Sequence, residues 1–239
     1  MEDFYLNILD WGSNNVVCVS LASAVFTYHA GTKETVHLCD LKADYCSALK
    51  WSQSGDVLAI GANNGIVELW DAHTQQKQRT LKFRADRVDT LVWHGSVLTS
   101  AGRDEVIRQH DVRMPGQSNC VAVLQGHTEE VCGLAWSEDG YHLASGANDN
   151  SVRLWDVRRQ KQRLVLPHSA AVKALAWCPF RSDILATGAG TNDRHVRLFD
   201  VHSGRVVACE QSGSQVSGLV WNRDARELMT AHGYERNVL

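Results

Sequence analysis

The sequence predicts an all-β fold assembled from repeated units, and three observations carry that prediction. A short apolar run ending in tryptophan returns as CSALKW at Trp51, VDTLVW at Trp93, VCGLAW at Trp136, VKALAW at Trp177 and VSGLVW at Trp221, with gaps of 42, 43, 41 and 44 residues. Roughly 20 residues later comes an aromatic followed by aspartate: VELWD at Trp70, VRLWD at Trp155 and VRLFD at Phe199, with a decayed copy, IRQHD, at His110. Between these markers, segments with period-two alternation are broken by tight-turn residues. A period in this range, with short strands and Trp-Asp pairs, marks a β-propeller, whose units bury their faces against their neighbours.

The units run approximately over 4–30, 45–72, 87–112, 127–157, 168–201 and 215–239, in one domain spanning 1–239. The first is degenerate: 5–11, 16–21 and 24–28 give three strands, with Tyr28 where the tryptophan usually stands. The second contains turns at Gln53-Ser54-Gly55-Asp56 and Asn63-Asn64-Gly65, and the third carries His110 at its aromatic position. In the fourth, 131–136 is a strand and Ser137-Glu138-Asp139-Gly140 a turn, since Asp-Gly supplies the positive φ a tight hairpin needs. Strands follow over 142–146 and 152–155, separated by the turn 147–150, and an outer strand lies near 163–166. The fifth repeats this plan with a turn at His202-Ser203-Gly204, and the sixth stops at Asn237-Val238-Leu239, where its third strand would begin. Only three prolines occur, which suits many hydrogen-bonded strands. A propeller protects its sheet edges by closing a ring. Five full units and part of a sixth therefore read as a fragment, or as a chain whose stable unit is not this monomer.

Composition narrows the function classes. A net charge of −3 argues against a dedicated nucleic-acid binder, and no apolar run approaches membrane-spanning length, so neither nucleic acid nor membrane is an expected partner. The acidic start, Met1-Glu2-Asp3, is unlike a signal peptide. Seven cysteines without a C-x-x-C pair read as reduced thiols of a soluble protein of the nucleus and cytoplasm. The basic run Arg158-Arg159-Gln160-Lys161-Gln162-Arg163 is a solvated loop between blades or, alternatively, a partner-binding patch.

Some residues invite an enzyme reading. His127, Ser145, Asp149 and Trp155 in the fourth unit contain a serine, a histidine and an aspartate. The set follows the repeat, returning loosely as His168, Thr187, Asp193 and Phe199, whereas a catalytic site would occur once. A buried structural hydrogen-bond network is the expectation, because unpaired polar groups are costly inside a protein. His37-Leu38-Cys39 is the closest approach to a metal-ligand pair and has no second half, so no metal and no cofactor are expected. The run 188–193 lacks the Gly-Lys-Ser/Thr end of a phosphate loop and leads into a strand, so it is a turn.

Finer wording carries a resemblance across essentially the whole chain. FYLNILDW over 4–11, EEVCGLAWSEDG over 129–140, LASGANDN over 143–150, AVKALAWCPF over 171–180, LATGAGTNDRHVRLFD over 185–200 and GSQVSGLVW over 213–221 resemble the fizzy and fizzy-related family. LCDL over 38–41, SAGRDEVIRQHD over 100–111 and TAHGY over 230–234 are closer to the fizzy-related branch. The resemblance implies a seven-bladed WD-repeat β-propeller, here five full blades plus part of a sixth. It also implies a non-enzymatic activator and substrate adaptor of the anaphase-promoting complex, a ubiquitin ligase of the cell cycle. Partners would be subunits of that complex, degron-bearing substrates such as cyclins, and pseudo-substrate inhibitors.

By motif match, Asn148 and Asn150 of GANDN, Thr191 of GAGTND and Gln215 of GSQV would bind KEN-box peptides through amides and a hydroxyl. Turn chemistry is the alternative for both asparagines, since Asn tolerates positive φ. Asp10 of LDW would pair with the destruction-box arginine, the alternative being an ordinary acidic loop residue. The resemblance places the destruction-box groove between the first and last blades and takes a further basic residue of the KEN face from the last blade. It also implies an N-terminal C-box and a C-terminal Ile-Arg tail, neither of which has a counterpart within 1–239. The third unit departs from the family's Gly-His wording at Phe83-Arg84-Ala85-Asp86. The remaining alternatives are a diverged WD-repeat scaffold without degron reading and, more remotely, an enzyme using Ser145.

Overall fold

The computed structural model describes residues 6–42, 44–82, 86–115, 119–224 and 226–233, and among them finds 22 strands and no helix. Contacts divide the chain into two compact units, Met1–Val123 and Leu124–Leu239.

The first unit begins with the sheet β1 (Leu9–Trp11), β2 (Val16–Leu21), β3 (Ala24–His29) and β4 (Glu34–Asp40). Next comes β5 (Cys46–Trp51), β6 (Val57–Ala62), β7 (Ile66–Asp71) and β8 (Lys77–Lys82). The third sheet holds β9 (Val88–His94), β10 (Val97–Gly102), β11 (Ile107–Asp111) and β12 (Cys120–Leu124), whose last residue falls past the unit boundary. The second unit has β13 (Val131–Trp136), β14 (His142–Ala147), β15 (Ser151–Asp156) and β16 (Lys161–Pro167). It continues with β17 (Val172–Trp177), β18 (Ile184–Ala189), β19 (His195–Asp200) and β20 (Arg205–Gln211), then the pair β21 (Val216–Asn222) and β22 (Glu227–His232). Within each of the six sheets the strands follow chain order and pair antiparallel where their register is defined, so short hairpins suffice as connections.

The first sheet differs from the sequence reading in two ways. Its opening strand is confined to Leu9–Trp11, preceded by an isolated bridge from Asn7 to Ala48, and a fourth strand, β4, completes it. Of the residues carrying earlier expectations, Phe4 and Tyr5, Phe83 to Ala85, Tyr234 and Asn237 to Leu239 lie outside the described residues.

The repeating tryptophans explain the period. Each sits near the end of a first strand, and three of them donate the indole N–H to the preceding sheet. Trp93 reaches the Lys50 carbonyl at 3.1 Å, Trp177 the Ala135 carbonyl at 3.0 Å and Trp221 the Ala176 carbonyl at 3.2 Å. Every acceptor is the residue before the preceding tryptophan, so one residue type both fills apolar space and fixes the stagger of neighbouring sheets. The second strands β14 and β18 carry a penultimate glycine for a matching reason. A Cβ on Gly146 would lie 2.2 Å from the Val172 carbonyl oxygen, and one on Gly188 would lie 2.4 Å from Val216 Cγ1. The next sheet packs against those bare backbones.

Cores form where sheets stack. In the first unit Leu49, Trp51, Leu58 and Ile60 pack with Cys18, Val25, Cys39 and Cys46. In the second, Val152, Leu154 and Leu166 pack with Val172, Trp177, Leu185 and Phe199. All seven cysteines are thiols, with only Cys120 and Cys209 exposed. No helix among the described residues is long and apolar enough to cross a membrane.

Candidate functional site

Antiparallel hairpins put two kinds of connection at one end of each sheet: the turn between second and third strands, and the approach to the first strand. Asn148, Asn150, Thr191 and Gln215 all occupy such positions in the second unit.

The turn between β14 and β15 aims its three polar residues in different directions. Asp149 points inward. Asn150 is exposed, adopts φ of 58°, and its carbonyl accepts the His168 N–H at 2.8 Å, so the turn chemistry expected of asparagine is present. Asn148 is half-buried; its N–H donates to the Glu130 carbonyl at 2.9 Å and its amide nitrogen approaches Glu130 Oε2 at 3.4 Å. Its amide oxygen is buried and accepts no hydrogen bond, although buried acceptors are almost always satisfied.

One sheet further on, Thr191 is exposed and donates its hydroxyl to Gln215 Oε1 at 3.1 Å. Gln215 is buried, and its carbonyl accepts the Gly233 N–H at 3.3 Å. A Cβ on Gly233 would stand 2.6 Å from Gln215 Nε2, so the amide lies flat over that glycine. Arg194 (φ 56°) fixes the Thr191 turn, with Nε on the Thr191 carbonyl at 2.7 Å and a guanidinium nitrogen 3.3 Å from the Gly213 carbonyl. The structure thus joins Thr191 to Gln215 directly, while Asn148 and Asn150 stand on the neighbouring sheet's turn. Sequence reasoning missed Glu130 and Arg194. Their only signal is position, immediately before a first strand and inside a second-to-third-strand turn.

Asp10 belongs to the first unit and is well supplied with donors. Its carboxylate takes Lys50 Nζ at 2.6 Å and the Trp51 N–H at 2.8 Å, with the side chain only 15% exposed. It ties β1 to β5. Both carboxylate oxygens thus already accept from the protein.

The serine, histidine and aspartate of the fourth sheet do form a chain. Asp149 can only accept, so His127 carries its proton on Nδ1 and donates it to Asp149 Oδ2 across 2.8 Å. His127 Nε2 then accepts from the Ser145 hydroxyl at 2.7 Å, and the Ser145 oxygen accepts the Trp155 indole N–H at 2.8 Å. The order is that of a catalytic triad, but Ser145 has no exposed surface and its oxygen is held by the indole. No substrate carbonyl reaches it. Burial lowers the His127 pKa despite the facing carboxylate. Burial also acts to raise Asp149, but hydrogen bonds from Ser151 and His127 outweigh it and hold the carboxyl below its usual value.

The fifth sheet repeats the chain with a change. His168 Nε2 meets the Thr187 hydroxyl at 2.9 Å, while Nδ1 lies 3.1 Å from the Leu166 carbonyl instead of Asp193. Asp193 accepts from the Ser169 N–H at 2.8 Å and from Arg197 at 2.7 Å. Burial lowers His168 to about 4. Among the described residues no group of three or more His, Cys, Asp or Glu is placed to hold a metal ion.

Indole-stapled four-stranded sheets with buried polar chains define a WD-repeat β-propeller, a class of repeat-built recognition scaffold. The CDC20/Fizzy WD40 domain model matches residues 1–239, and the chain belongs to that family. It is 41% identical to WD repeat-containing protein slp1 of Schizosaccharomyces pombe over its whole length and 49% of that protein. It is 43% identical to B-type cell cycle switch protein ccs52A of Medicago truncatula, again over its whole length and 50% of the relative. "Cell division cycle 20.5, cofactor of APC complex" of Arabidopsis thaliana is 42% identical over all of this chain and 55% of the relative. The chain thus spans about half the length of the curated relatives it matches. A chain in the crystal structure of a mitotic checkpoint complex superposes with a TM-score of 0.95 at 41% identity, covering 99% of this chain and 73% of that one.

Proposed function

We propose that this protein is a non-enzymatic substrate-recognition adaptor and activator of the anaphase-promoting complex, working in the nucleus and cytoplasm on KEN-box and destruction-box degrons. The observation that carries the reading is the buried, unsatisfied amide oxygen of Asn148. It stands beside a second-unit end already rich in amides and hydroxyls, and a peptide backbone N–H or side-chain amide would supply the missing donor. Glu130 beside Asn148 and Arg194 beside Thr191 offer opposite charges to the lysine and glutamate of a KEN motif. Relatives named as cofactors or subunits of the anaphase-promoting complex support the choice of ligase.

The destruction-box half rests on Asp10 and requires an incoming guanidinium to displace the Lys50 ammonium. That displacement makes a second reading concrete: a scaffold of the same family that reads the KEN motif or no degron at all. Reconstituted ubiquitination tests the proposal. Substrates bearing a KEN box or a destruction box should be modified by the purified ligase only when this protein is added. Modification that is indifferent to its addition sinks the adaptor reading; loss confined to KEN substrates favours the second.

A further inference from the structure

The second sheet has lost the polar chain of the fourth and fifth, and a cleft lies at that place. Register identifies the replaced residues. Ile60 faces Glu68 as Ser145 faces Arg153 and Thr187 faces Arg197. Leu41 follows the preceding outer strand as His168 does: its N–H goes to the Ser23 carbonyl at 2.9 Å, and that of His168 to the Asn150 carbonyl at 2.8 Å. Asn64 stands where Asp149 stands, two residues beyond the second strand. Trp70 remains, facing Leu58 as Trp155 faces Leu143.

Without a serine oxygen to accept it, the Trp70 indole N–H donates to Glu68 Oε2 at 3.0 Å, and Lys77 Nζ takes Glu68 Oε1 at 2.9 Å. A cleft of about 350 Å³ borders this arrangement, with Leu41, Ala62, Ile66 and Trp70 among its walls and Glu68 beside the indole. Asp40 and Asp44 also line it, as do Lys42 and Lys77, so the lining carries three carboxylates and two ammonium groups. Asp40 meets His37, and Asp44 accepts the Tyr45 and Asn64 N–H groups. The Cys39 thiol on the wall is raised to about 12, mainly by burial and next by Glu68, so it stays protonated and is no nucleophile.

We propose that this cleft is a binding site for an arginine side chain of a protein partner. An apolar wall with an indole face accepts the aliphatic stem and stacks a guanidinium, which aromatic rings attract. Glu68 already holds a cation in Lys77, whose side chain is 45% exposed and can move aside. A guanidinium offers a planar fork that a carboxylate accepts in bidentate fashion, which an ammonium cannot match. An acidic side chain would meet the surplus carboxylates, and a purely aliphatic one would bury Glu68 without a donor.

Blocked pentapeptides of alanine with one central arginine, citrulline, lysine, leucine or glutamate test the site, titrated against the full chain while the Trp70 indole N–H is followed by NMR. The arginine peptide should shift that resonance saturably, and citrulline, its neutral analogue, should bind at least about tenfold more weakly. Glu68→Gln should weaken arginine binding by a similar factor. Restoring the polar chain with Leu41→His, Ile60→Ser and Asn64→Asp should abolish it. No saturable shift with arginine, or equal binding of arginine and citrulline, overturns the proposal without any variant having to fold.

Discussion

Thr191 donates its hydroxyl to Gln215 Oε1 across 3.1 Å, linking an exposed turn of the fifth sheet to a buried amide at the start of the sixth. The bond orients the Gln215 amide over Gly233 and leaves the turn backbone to Arg194. If the pair serves peptide recognition, Thr191→Val should weaken KEN-peptide binding several-fold while leaving thermal stability nearly unchanged, since the side chain is exposed. Calorimetric titration beside a melting curve checks both. An unchanged affinity would assign the bond to turn geometry alone.

Ser145→Ala should destabilise the second unit without loss of fold. The hydroxyl serves two buried partners, His127 Nε2 and the Trp155 indole, and removing it strands both. The expected cost is about 1–3 kcal/mol, read as a shift of the urea midpoint. Thr at this position should restore most of it, as Thr187 fills the same place in the fifth sheet. A stability equal to wild type would show that the chain contributes nothing.

Acidification should destabilise the fold in two windows. His168 has a folded pKa of about 4, below the unfolded value near 6.5, because burial disfavours its charged form. Its neutral form therefore contributes stability that is complete above about pH 6.5 and declines toward pH 4, with a slope of at most about 1.4 kcal/mol per pH unit. His127 is lowered in the same direction. Asp149 and Asp193 are held below their usual values, so their contribution is lost only at more acid pH. Urea midpoints measured across this range should fall first between pH 6.5 and 4, and His168→Gln should flatten that limb. A flat limb in the wild type would contradict the burial argument.

Thiol chemistry should separate the cysteines by position. Burial first, with nearby acidic groups or thiols adding to it, raises Cys18 and Cys39 to about 12; burial raises Cys46 to about 11. Native alkylation at pH 8, read by mass spectrometry, should modify Cys120 and Cys209 and spare those three until denaturant is added. Rapid native labelling of Cys18 would show that the first core opens readily.

Much of the fold was legible because one residue type repeats with a physical task. A tryptophan that must reach the preceding sheet's carbonyl cannot drift in sequence, so Trp93, Trp177 and Trp221 keep their distance from the tryptophan before them. Outer strands were harder to read because their exposure leaves little apolar alternation, as in β20, where every residue is exposed. The polar chain of the fourth sheet was readable from residue type, yet Leu166 in place of Asp193 as the His168 partner was not. A backbone carbonyl leaves no mark in the sequence. Asp10 shows the same limit: LDW reveals a carboxylate but not the Lys50 ammonium 40 residues away that occupies it. Glu130 and Arg194 joined the site only through the turns that carry them.

Degron reading at the polar end of the second unit is open to a single titration. A KEN-box peptide is titrated by isothermal calorimetry into the wild-type chain and into the Asn148→Ala, Asn150→Ala double variant, with near-UV circular dichroism confirming that both keep native tryptophan packing. Binding to the wild type should be saturable and at least about tenfold weaker in the variant, roughly the worth of one hydrogen bond that loses its partner. Equal affinity for a folded variant, or no preference of the wild type for KEN over a scrambled peptide, would contradict it.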